Sequence, residues 1–143
     1  MTLTESQKAE VTETMQAYVT AYRMKDIKGL SAVFSRDISG FGSGPDEVIA
    51  NHADFMQHTK RDMSQATILA AEFTERKIFG DGRIAWVTSK SSLTFTIDGT
   101  KKQTIHGRST MVLQNRGRGW KIEQLHFSLP YGDQSAGQSF PGA

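Results

Sequence analysis

Few side chains in this sequence have the type and placement to do chemistry. Tyr18 can donate a phenolic proton to a carbonyl or hydroxyl group, and Glu123 or His52 could act beside it as acid or base. That set suits general acid–base chemistry on a small molecule. Each residue also has a plainer reading. Tyr18 shares an apolar stripe with Met15 and Tyr22, where packing alone accounts for it. Glu123 is read more simply as a solvated carboxylate at the rim of a sheet, since unpaired carboxylates are rarely buried.

Other chemistries are excluded by what the chain lacks. Its 143 residues contain no cysteine, which removes thiolate nucleophiles, disulfides and cysteine zinc sites together. His52 and His58 fall on one predicted helix without a third nearby ligand, so no metal is expected. Gly40-Phe41-Gly42-Ser43-Gly44 lacks the lysine ending of a phosphate loop and the spacing of a dinucleotide fingerprint. Neither Ser-x-x-Lys nor Gly-x-Ser-x-Gly occurs. No cofactor is expected.

The charge balance is nearly even, with 17 Lys and Arg against 15 Asp and Glu and a formal charge of +2. These charges are spread along the chain, so no nucleic-acid partner is expected. The first residues lack the basic start and apolar run of a signal peptide, and no stretch reaches membrane-spanning length; a cytoplasmic protein without a membrane partner is the expectation.

The elements that must position these residues are readable in order. Thr4-Glu5-Ser6-Gln7 has the capping-box pattern and opens a helix with Val11, Met15, Tyr18 and Tyr22 at helical spacing. Asp26 caps a second, short helix whose Ile27, Leu30, Val33 and Phe34 face inward. After a glycine-rich break, Asp46-Glu47 begins a third helix carrying Val48, Ile49, His52, Phe55, Met56 and Met63. From residue 66 the pattern turns to period two, with strands expected at 66–79, 83–97, 100–114 and 120–129. The last of these, Trp120 to Leu129, is read as the central strand. One domain over 1–130 is expected, with 131–143 as an irregular Gly, Ser and Gln-rich tail.

Asp98-Gly99 is a two-residue hairpin signal from which register is counted outward, pairing Trp86 with Met111 and Ser89 with Arg108. One sheet face then carries Ile84, Trp86, Thr88, Met111, Leu113, Leu125 and Phe127 and meets the helices. The expected ligand cavity is lined by Tyr18, Tyr22, Phe34, Phe41, Phe55, Trp86, Thr88, Met111 and Phe127. The other face mixes Arg108, Thr110, Gln124 and His126 with Val87, Val112 and Ile122. That mixture is too polar for a core and too apolar for a solvated face, so a two-fold homodimer is expected there. Arg108, His106 and His126 become active-site candidates instead if the register is displaced.

Gln16-Ala17-Tyr18-Val19, Lys25-Asp26-Ile27-Lys28-Gly29-Leu30, Val33-Phe34 and Gly119-Trp120-Lys121-Ile122 through His126-Phe127-Ser128 together resemble the ketosteroid isomerase-like superfamily, over about residues 5–130. The nearest likeness is to the SnoaL-like group. Trp-x-Ile-x-x-x-His-x-Ser also resembles the association domain of calcium/calmodulin-dependent kinase type II. The resemblance implies an α+β cone, in which three N-terminal helices pack on a curved, mostly antiparallel sheet as in nuclear transport factor 2.

It also implies roles to test by position. Tyr18 falls where ketosteroid isomerase, a worked case of a paired base and oxyanion hole, carries its oxyanion tyrosine. The general-base aspartate falls at Gly42, and the protonated aspartate falls at Met111. The kinase domain's pocket arginines fall at Thr88, Met111 and Phe127. Two readings stay open. One, implied by the resemblance, is a small-molecule binding protein or an enzyme of the cyclase, isomerase or dehydratase kind with an apolar cone; the other is a non-catalytic dimerisation module whose cone is filled. In either case no ketosteroid isomerase turnover is expected, and turnover of an unsaturated ketosteroid well above that of a Tyr18→Phe control would overturn this.

Overall fold

A computed structural model describes residues 2–143. Helix α1 (Glu5–Arg23) is fixed at its start by the predicted capping box. The Gln7 amide N–H donates to Thr4 Oγ1 at 3.1 Å, and Thr4 N–H donates to Gln7 Oε1 at 2.9 Å. Helix α2 (Ile27–Val33) is capped by Asp26, whose Oδ1 accepts from Gly29 N at 3.0 Å. The expected fold class is the one observed. The helices cover one side of a sheet of β1 (Phe34–Phe41), β2 (Val48–Ile49), β3 (Thr67–Asp81), β4 (Ile84–Thr96), β5 (Lys102–Asn115) and β6 (Trp120–Ser128), in the order β2-β1-β6-β5-β4-β3. Helix α3 (His52–Gln65) lies between β2 and β3 in the chain.

Strand β6 is interior to the sheet, as its composition suggests. It pairs antiparallel with β5 and parallel with β1. Trp120 Nε1 donates to Glu10 Oε2 at 3.0 Å and ties it to α1. The core beneath the helices holds Met15, Leu30, Ile38, Met111, Leu113, Ile122 and Leu125, none more than 1% exposed. Burying each such side chain contributes roughly 1.5–3 kcal/mol.

Three local expectations are corrected. Phe34 leaves α2 and begins β1, paired with Ile122. Val48 and Ile49 form β2 against Gly40 and Phe41 instead of a helical turn. Helix α3 starts later, where Asn51 Oδ1 accepts from Asp54 N at 2.8 Å. An Asn cap fits the same rule that made Asp46 attractive, but the pairing of Val48 with Phe41 takes the preceding residues.

The register is displaced by one residue. Residues 97–101 form a five-residue loop, in which Asp98 Oδ1 accepts from Thr100 N at 3.0 Å and from Thr100 Oγ1 at 2.7 Å, so Thr96 pairs with Lys102. A one-residue slip turns every side chain of one strand to the opposite face. Strand β4 therefore presents Ala85, Val87 and Ser89 to the core, while Trp86 and Thr88 point away. Ile122 is also inside: Leu113 pairs with Ile122 and Val112 with Gln124, leaving Glu123 as an extra, bulged residue.

The outer face thus carries one row of Phe79, Trp86, Val112 and Gln124 and another of Lys77, Thr88, Thr110, His126 and Phe41. Among the described residues no helix or strand follows Ser128. No helix among the described residues is long and apolar enough to cross a membrane.

Candidate functional site

A cavity of about 300 Å³ opens between α1, α3, the β1–β2 loop and the concave side of β3 to β6. Its walls are largely apolar: Ile68, Phe73, Leu93, Phe95, Ile105, Leu125 and Phe127 from the sheet, with Phe55 from α3. Tyr18 is the hub of its aromatic wall. Its ring centroid lies 6.0 Å from Tyr22, 5.0 Å from Phe34, 5.9 Å from Phe73 and 6.4 Å from Phe127.

The polar end is built by α1, α3 and the loop. Phe55, Thr59 and Asp62 follow one another at helical spacing on α3, so the stripe that packs against the sheet also delivers a carboxylate. Tyr22 Oη donates to Asp62 Oδ2 at 2.8 Å. Burial raises the Asp62 carboxyl above the ordinary range; the Tyr22 hydrogen bond opposes this and repulsion from Glu47 adds to it. The phenols of Tyr18 and Tyr22 are pushed well up, first by burial and then by the Asp62 carboxylate. Both keep their protons at neutral pH.

Glu47 reaches the cavity from the loop, where its Oε2 accepts from Gly44 N at 3.0 Å. Arg61 binds Asp46 through two nitrogens at 2.6 and 3.0 Å and holds that loop to α3. His58 lies one turn before Asp62 and also lines the cavity, with its Nε2 3.3 Å from the Val48 carbonyl oxygen. Among the described residues no group of three His, Cys, Asp or Glu is placed to hold a metal ion.

Of the residues singled out in the sequence, the structure brings Tyr18, Tyr22, Phe55 and Phe127 to the cavity wall. Phe34 and Met111 lie in the adjoining core. Trp86, 43% exposed, stacks on Phe79 on the outer face, and Thr88 is its neighbour there, both displaced by the register slip. Phe41, 49% exposed, packs against His126 on the same side, because β1 runs into the start of the glycine-rich segment and its last residue alternates outward.

His52 and Glu123 line a separate surface groove. There His52 Nε2 lies 3.3 Å from Ser31 Oγ, and Glu123 pairs with Arg116 at 3.4 Å. Neither reaches Tyr18's cavity. Arg108, Thr110, Gln124 and His126 are exposed on the outer face, away from the cavity. Sequence reasoning missed Asp62, Glu47 and His58. The legible signal was a carboxylate seven residues after Phe55 in a helix whose inward stripe was otherwise apolar.

A family model described as SnoaL-like domain matches residues 11–132. None of the curated proteins is detectably similar to the chain. Among solved structures, a nuclear transport factor 2-like superfamily protein from Salmonella enterica is 19% identical with a TM-score of 0.79, over 96% of this chain and 100% of that one. A protein from Novosphingobium aromaticivorans, provisionally described as an aromatic ring hydroxylase, is 18% identical with a TM-score of 0.80, covering 90% and 92%. A provisionally described calcium/calmodulin dependent protein kinase II association domain from Xanthomonas campestris is 18% identical with a TM-score of 0.76, covering 86% and 87%. At these identities the likeness establishes the fold.

Proposed function

The chain belongs to the SnoaL-like domain family, and on that premise we propose that its cavity takes up a small, largely apolar or aromatic molecule and performs general acid–base chemistry on it. One observation carries this reading: a carboxylate, Asp62, is set in an apolar cavity, oriented by Tyr22 and raised above its ordinary proton affinity. A carboxyl shifted upward lies closer to the working pH and transfers protons more effectively. Tyr18 supplies a second polar contact for the ligand.

The positions that would hold carboxyls in ketosteroid isomerase are Gly42 and Met111, so here the acid–base group approaches from α3 instead of from the sheet. A cavity of about 300 Å³ sits at the small end of ligand sites and favours this reading over a cone filled with side chains.

The test is native mass spectrometry of protein taken from its source. A bound organic molecule is expected, held about tenfold less tightly by Tyr18→Phe, the loss of roughly one hydrogen bond. Protein that carries no such molecule and is not stabilised by any of a panel of aromatic and apolar compounds would sink the reading.

The outer face supports homodimer assembly beside this activity. It exposes Phe41, Phe79 and Trp86 on the same surface as Arg108, Thr110, Gln124 and His126. Val87 and Ile122 lie in the core, so Trp86 and Phe79 take over as the apolar members of the contact. A central tryptophan is a common anchor, and Trp86→Ala is expected to weaken the dimer by roughly 2 kcal/mol in sedimentation over a dilution series. Wild-type protein that stays monomeric at high concentration would remove the interface.

A further inference from the structure

We propose that the group recognised in this cavity is a protonated amine carried on an apolar or aromatic body. The proposal rests on the small-molecule reading above and adds the charge of the ligand. It starts from a polar group at the cavity wall that the protein does not bond. Tyr18 is 8% exposed, yet among the described residues its hydroxyl has no hydrogen-bond partner, and it faces the cavity. Among the described residues no buried side-chain polar atom lacks a partner, so this hydroxyl keeps its small exposure toward the cavity, where a ligand atom can bond it.

Besides His58 and the two tyrosines, every titratable side chain in the lining is a carboxylate. Tyr22 donates to Asp62 Oδ2, and Asp62 Oδ1 is left open. Glu47 adds a second carboxylate to the lining, and no lysine or arginine lines the cavity. Arg61 is directed at Asp46 and reaches Glu47 only at 3.4 Å. An ammonium has three donors and no acceptor. Tyr18 Oη and Asp62 Oδ1 can each accept one of its N–H groups, and Glu47 adds attraction from across the site. The rings of Tyr18, Phe73 and Phe127, which lie 5.9 to 6.4 Å from one another, line the same wall and suit both a cation and its apolar body.

A carboxylate or phosphate ligand would instead meet like charge from Asp62 and Glu47, while Arg61, the counterion of Glu47, lies outside the lining. A neutral alcohol would satisfy Tyr18 but leave the carboxylates unmatched. The upward shift of Asp62 agrees with this, since burial and Glu47 both disfavour its charge and a ligand cation would offset them.

Phenylpropylamine, phenylpropanol and phenylpropanoate share one apolar body and differ in charge, and titration calorimetry at about pH 8, where an alkylamine is charged, compares them. The amine is expected to bind at least about tenfold more tightly than the alcohol, with the carboxylate weakest. Asp62→Asn is expected to remove most of the amine's advantage while changing alcohol binding less than about threefold; if that variant fails to fold, Glu47→Gln, expected to weaken the amine at least about threefold and the alcohol less, takes its place. Equal or tighter binding of the alcohol or the carboxylate would overturn the amine assignment and leave the small-molecule reading standing. Equal losses for amine and alcohol in the variant would do the same. Binding of none of the three at millimolar concentration would overturn both.

Discussion

Gly40→Ala is expected to cost more than about 3 kcal/mol, enough to lower the melting temperature by roughly 10 °C or to leave the protein unfolded. Gly40 lies in β1 with φ at +144°, a conformation that residues with a Cβ rarely adopt. A Cβ there would strike the carbonyl oxygen of Leu125 and lie 2.9 Å from its carbon and 3.1 Å from its nitrogen. Those atoms are backbone of β6 and cannot rotate away, and Gly40 is paired both to them and to Ile49. Moving β6 would also disturb the Leu125 side chain at the floor of the cavity.

Gly82 provides the control. It too has a positive φ, of +64°, but a Cβ would meet nothing within 4 Å. Gly82→Ala therefore suffers conformational strain alone, about 1 kcal/mol. Equal losses of stability in the two variants, measured by denaturant unfolding, would show that the approach of β1 to β6 is not what demands glycine.

The part of the fold that depends on local chemistry was legible. Thr4 and Gln7, Asp26 and the apolar stripe of α1 specify their own helices, because each cap bonds within three residues of itself. The period-two stretches and β6's interior place could likewise be read from composition. What was not legible depends on long-range pairing. Nothing in Phe34–Phe41 distinguishes a bend from a strand until Ile122 and Leu125 lie beside it. Asp98-Gly99 has the composition of a two-residue turn, but Asp98 bonds Thr100 within a longer loop, and that one residue moved Trp86 and Thr88 from the cavity to the outside.

The site divides in the same way. Tyr18 was legible because it lies on the best-defined helix. Asp62 was not, because its significance comes from Tyr22 forty residues away and from Glu47 on a loop whose path was read as helix. The two errors have one origin: α3 was started at Asp46, and from that start the inward stripe was read by its apolar members only. Phe55, Thr59 and Asp62 share a single stripe by their spacing wherever the helix begins, and read with its polar members that stripe makes the carboxylate stand out on an otherwise packed surface.

Asp62→Asn is expected to lower the rate of any proton transfer performed in this cavity by about a hundred- to ten-thousand-fold, the usual contribution of a positioned acid or base. Asparagine keeps the shape and can still accept the Tyr22 hydroxyl, so the loss reports the proton and not the packing. The same variant has a signature in stability. The native carboxyl titrates above the ordinary aspartate value of 3.8. Between the two values the folded protein holds a proton that the unfolded chain has released, so Asp62 makes stability fall as pH rises through that window, and the fall is complete above the native value. Asparagine cannot titrate. The stability of Asp62→Asn relative to wild type is therefore expected to climb with pH across the window and then level off, as denaturant unfolding at a series of pH values will show; a difference that is flat or falls would contradict the assignment. Tyr22→Phe pushes the other way on the same group. The Tyr22 hydrogen bond favours the ionised carboxylate, so its removal raises the Asp62 pKa further and moves the acid limb of a kcat/KM profile that needs the carboxylate as base to higher pH. Packing lost with the hydroxyl would lower the whole profile without moving that limb, which separates a group that tunes the proton from one that fills space.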